Sequence, residues 1–92
     1  MIVRIATENQ YQLSDDAADR LNELDNQTVE AVDAGDEGRF RELFTQMLDY
    51  VRAEGTLLDG DDLEASDIII PPPDLTFEEA RSEFSGDGLI PD

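Results

Sequence analysis

The chain contains no cysteine, histidine, lysine or tryptophan, and its only side-chain cations are six arginines. Without cysteine there is no disulfide, no thiolate-held zinc or iron–sulfur cluster and no thiol nucleophile. Without histidine the commonest general base and metal ligand is gone, and without lysine there is neither a Schiff base nor a phosphate-loop lysine. Long apolar runs are missing too. The isoleucine triplet 68–70 is as long as any, far below the ~20 residues that span a bilayer. Met1 leads straight into strand-like sequence without a basic-then-apolar leader, so the expected location is the cytoplasm.

Acid takes the place of what is missing. The 92 residues include 24 Asp or Glu, giving a formal charge of −18 and an isoelectric point near 4.1. Such a surface repels DNA, RNA and the anionic inner leaflet, which excludes direct binding to nucleic acid and leaves any membrane contact to a partner. The acids are interleaved with apolar residues along the whole chain, unlike a segregated disordered tail. Two explanations remain, adaptation to concentrated salt and mimicry of a nucleic acid. The missing lysines favour the first, because a mimic needs carboxylates but has no reason to replace every lysine. At about 1 M salt the Debye length is only ~3 Å, and the self-repulsion of this surface is largely screened.

Leu, Ile, Val and Phe make up about 26% of the sequence, above the roughly 20% below which charged chains stay disordered. One folded domain over residues 1–92 is expected, with little interior to spare for a drug-sized cavity. Residues 1–6 (MIVRIA) read as a strand, and Tyr11 and Leu13 alternate with glutamines as a second strand of a hairpin. Ser14 is a helix N-cap, with Asp15 and Asp16 in the first turn and Leu13 placed to staple on Ala18. The helix that follows carries a narrow stripe of Ala17, Leu21, Leu24, Thr28 and Val32 and stops at Gly35. Asp36 caps a second helix with Phe40, Leu43, Phe44, Met47, Leu48 and Val51 on one face and Gly55 at its end. So short a connection makes the two helices an antiparallel hairpin.

Residues 56–58 are a candidate short strand, followed by the acidic loop Asp59–Glu64. Ile68–Ile70 forms a β-branched strand that ends at Pro71–Pro73. Thr76 and Glu79 have capping-box spacing, with Leu75 and Ala80 as the staple, for a third helix reaching about Phe84 with Phe77, Ala80 and Phe84 facing in. The expected fold is α+β: a small sheet of the amino-terminal hairpin plus Ile68–Ile70, covered by the αα-hairpin, with the short helix at its edge. Strand order is left open.

Chemistry is sparse. Measured from Asp59, an EF-hand loop fails at its fifth, sixth and twelfth positions, which hold Leu63, Glu64 and Ile70. No metal or cofactor is expected, and weak ion binding by the acidic loop stays open. The serines have no histidine or lysine to activate them, and no pair of acids stands out among 24. The chain therefore reads as a non-enzymatic one. Ile68 and Ile70 share one strand face and Ile69 takes the other, so the strand is either buried on both sides or offers apolar surface to a partner. Ile69, Pro72, Leu89 and Ile90 are the candidate partner-binding residues.

Several segments carry a family resemblance: MIVRI at the start, LNELD at 21–25, AVDAGDEGRF at 31–40, VRAEGTLL at 51–58, SDIIIPPPDLTFEEAR at 66–81 and GLIP at 88–91. Together they resemble the PspAA family, the phage-shock-protein-A-associated domain of archaea and actinobacteria. Lysine-free acidity suggests a member from a salt-loving archaeon. The resemblance implies an adaptor or regulatory partner of a PspA-like coiled-coil protein, of the ESCRT-III-like class that remodels membranes in envelope stress. The adaptor would be recruited to the membrane only through that partner. A homo-oligomer is a further arrangement that the sequence admits, and an acidic inhibitor of a basic DNA-binding protein is the alternative function.

Overall fold

A computed structural model describes residues 1–58, 65–84 and 88–89. The acidic loop Asp59–Glu64 and the candidate Ile90 lie outside the described residues.

The amino-terminal strand β1 (Ile2–Ile5) and β2 (Gln10–Gln12) form the hairpin, with Val3 opposite Tyr11. The turn between them is closed by Glu8 N–H donating to the Ile5 carbonyl at 2.8 Å, and Thr7 takes φ +68° within it. Helix α1 (Asp15–Asp33) starts where Ser14 Oγ accepts from Ala17 N–H, satisfying one of the donors a helix start leaves open. The chain reverses at Gly35, Asp36 accepts from Arg39 N–H, and α2 (Glu37–Glu54) folds back along α1.

Strand β3 (Thr56–Leu58) follows α2 at once and pairs with β2. At the junction, a Cβ on Gly55 would stand 2.6 Å from the Val51 carbonyl oxygen and 2.7 Å from Tyr11 Cβ, so only glycine permits so tight a connection. Strand β4 (Ile68–Ile70) pairs parallel to β1, completing a four-stranded mixed sheet in the order β3-β2-β1-β4. Helix α3 (Phe77–Glu83) has the full capping box: Thr76 Oγ1 accepts from Glu79 N–H, and Glu79 Oε1 accepts from Thr76 N–H. The α+β fold is thus as the sequence implies, with residues 56–58 forming its fourth strand.

The register assigns the sheet's two faces. Val3, Ile5, Ile68 and Ile70 point inward and are at most 5% exposed, whereas Arg4 and Ile69, paired with each other, point outward. All six stripe residues of α2 are buried against this inner layer. The buried surface of α1 is wider than the expected stripe and takes in Asp25, Val29 and Ala31, because α1 meets α3 as well as α2.

All four phenylalanines meet in one cluster. Phe40 stacks on Phe44 at 5.4 Å between ring centroids and meets Phe77 and Phe84 edge to face at 5.7 and 5.8 Å. Phe84 also meets Phe44 at 5.9 Å. Stacked and edge-to-face pairs are each worth about 0.5–1.5 kcal/mol beyond burial, and here they tie α3 to the helical hairpin. Among the described residues, no helix is long and apolar enough to cross a membrane.

Candidate functional site

The outward face of β4 and the turn after it form the candidate site. Period-two alternation turns Ile69 away from the core, onto the outer face it shares with Arg4 of β1. At 58% it is the more exposed of the two large apolar side chains the surface presents among the described residues, the other being Leu57 on the opposite edge. The alternative left open by the isoleucine triplet is settled in favour of presented apolar surface.

Beside Ile69 lies a groove of about 390 Å³. Ala6, Ile69, Pro71, Pro72 and Leu75 give it an apolar floor, and Glu79 and Glu83 stand along it from successive turns of α3. The proline segment shapes the floor. After three residues with fixed φ, the Pro72 carbonyl accepts from Leu75 N–H at 3.0 Å, which turns the chain back and delivers it to the Thr76 cap. Leu75 is 5% exposed.

Both carboxylates are without a cation among the described residues: the ion pairs there join Arg20 to Glu23 and Arg52 to Glu8 and Asp49. Arg81 lies over the Phe77 ring, and Arg4, beside Ile69 in the sheet, pairs with neither glutamate. Glu79 is held in place by the cap, and the backbone N–H of Thr76 followed by the Thr76 hydroxyl interaction lowers its pKa below the ordinary carboxylate value. It remains an anion in mildly acidic solution.

The four candidate residues separate. Ile69 and Pro72 share the groove. Leu89 does not line it; this residue packs half-buried against the core, and its N–H donates to Asp25 Oδ1 at 3.0 Å. Asp25 is fully buried on α1. Gly88 has φ +85°, and a Cβ there would lie 2.7 Å from both carboxylate oxygens of Asp25, so the Gly-Leu pair anchors the end of the chain to α1. Sequence reasoning missed Asp25, Glu79 and Glu83 as part of these arrangements. The signal for Asp25 is an acid beside the apolar stripe at Leu21, Leu24 and Thr28; that for Glu79 and Glu83 is four-residue spacing on a helix whose other face is apolar.

No cluster of three or more metal-ligating side chains occurs among the described residues. Two of the serines have structural partners: Ser14 caps α1, and Ser66 Oγ accepts from Gln10 Nε2 at 2.7 Å. The geometry offers an apolar floor with fixed anions beside it, which suits recognition of a surface.

No curated protein and no solved structure matches the chain. The PspAA family, described as PspA-associated protein, matches residues 1–92, and the chain belongs to that family.

Proposed function

We propose that this chain is a non-enzymatic adaptor that binds a PspA-type protein in the envelope stress response and leaves membrane contact to that protein. The observation that carries the reading is the family match from residue 1 to residue 92, since the family is described by association with PspA. The exposed Ile69 and the adjoining groove support it, because an apolar surface held on a rigid scaffold is what a protein partner uses. The charge of −18 supports the indirect route to the membrane, since anionic lipid repels it.

The test is binding of the tagged chain to a purified PspA-type protein from the same cell, in multimolar KCl. A saturable complex that survives high salt is the expected result, because apolar burial does not depend on the charge attraction that salt screens. Absence of a complex removes the adaptor reading. Displacement of the chain from a basic protein by DNA, with collapse in salt, would instead favour an acidic mimic.

A further inference from the structure

Which chemistry the groove recognises follows from its walls, and the answer rests on the adaptor reading only for the name of the partner. The floor formed by Ile69, Pro72 and Leu75 takes an apolar side chain. A partner strand is poorly served here: β4 is three residues long and runs directly into Pro71–Pro73, which have no N–H to donate. Side-chain contact is what remains. Glu79 and Glu83 are four residues apart on α3, a spacing that places side chains about 5–6 Å from each other on one helix face. Both lack a cation among the described residues.

We propose that this groove receives an amphipathic helix of the partner, with an apolar side chain against Ile69 and Leu75 and cations one turn apart on Glu79 and Glu83. A second copy of this chain is the wrong occupant electrostatically, because it brings the same charge of −18 and unpaired acids to the same place. An arginine or lysine pair matches the site in sign and spacing. Glu79 is also preorganised: one of its oxygens accepts from Thr76 N–H, so little rotamer freedom is lost when a cation arrives.

The test uses the full chain and a labelled synthetic helical peptide with a leucine stripe bordered by arginines one turn apart, titrated by fluorescence anisotropy in about 0.15 M KCl, where a Debye length of ~8 Å leaves contact ion pairs effective. Three variants accompany the wild type. Ile69→Ala removes exposed apolar surface; the double variant E79Q/E83Q removes the anions, and glutamine still completes a capping box. The control, E30Q/E42Q, removes two exposed acids on α1 and α2. Wild type should bind with saturation, Ile69→Ala and E79Q/E83Q should each weaken binding about tenfold, and the control should stay within about twofold. Equal loss in the control, or no saturable binding by the wild type, overturns the proposal. So does a dimer in light scattering that E79Q/E83Q abolishes, since the groove would then hold a second copy. The PspA-type protein is titrated in parallel. Its failure to bind while the peptide binds as expected sinks the adaptor reading alone, and its binding undiminished by Ile69→Ala sinks the groove alone.

Discussion

Ile68, Ile69 and Ile70 are chemically identical neighbours with opposite fates: the outer two lie in the core at 5% and 0% exposure, and the middle one stands 58% exposed beside a groove. The inner side of the sheet is saturated with partners, from the α2 stripe to the four stacked and edge-to-face phenylalanines. The outer side near β4 is apolar without cover, and its two glutamates form no ion pair among the described residues. One side therefore accounts for stability, and the other is the side proposed for recognition. A small domain separates the two tasks by the two-residue period of a strand.

Truncating the inner side should have the largest effect. Phe84→Ala removes edge-to-face contacts to Phe40 and Phe44 and should cost about 3–5 kcal/mol in urea unfolding, a large part of the roughly 5–15 kcal/mol a domain has. A loss below about 1 kcal/mol would contradict the role given to the phenylalanine cluster. The isoleucine pair sharpens the comparison on a single strand: Ile70→Ala should cost about 2–5 kcal/mol and Ile69→Ala less than about 1 kcal/mol. Similar losses at the two positions would mean that the outer side is covered in solution. Gly88→Ala drives a Cβ into the Asp25 carboxylate at 2.7 Å and imposes φ +85° on alanine; a cost of about 1–3 kcal/mol is expected, with faster hydrogen exchange at the Leu89 amide. Protection of that amide unchanged from wild type would show that the Asp25 contact does not hold the chain end.

Smaller effects concern the groove's supports. Glu79 has its pKa lowered from 4.5 by the Thr76 interactions, so its capping contribution is present above the unfolded-state value and lost as pH falls through the depressed folded-state value. The difference in thermal midpoint between wild type and Glu79→Gln should therefore shrink as pH drops below that range. A difference that stays constant with pH would rule out the carboxylate as the capping group. Thr7→Gly relieves a β-branched residue at φ +68° and should stabilise the domain by about 1 kcal/mol, with destabilisation as the contrary result.

The local features were legible because their signals are local. Ser14, Asp36 and the Thr76–Glu79 pair each cap the helix that their spacing announces, and the α2 stripe is buried at every position read from the sequence. What was not legible depends on contacts between distant parts of the chain. Parallel pairing of β1 with β4 joins residues about 65 positions apart, and no neighbouring residue encodes it. The buried Asp25 accepts from an N–H 64 residues away. Alternation along Ile68–Ile70 set one side chain against two, yet that Ile69 is the uncovered one follows only from the core packing on the face of Ile68 and Ile70. The groove was hidden for the same reason, since its floor and its two glutamates come together only when α3 is held by Phe40 and Phe44 on α2.

The central claim is that the outer side at β4 and α3 is where the partner binds. The most direct measurement is hydrogen exchange of the full chain, alone and saturated with a purified PspA-type protein in high salt. The account predicts added protection at residues 68–70 and 75–83, with α1 unchanged along its exposed face. Protection centred on α1 or on the β3 edge at Leu57, with residues 68–83 unaltered, would contradict it.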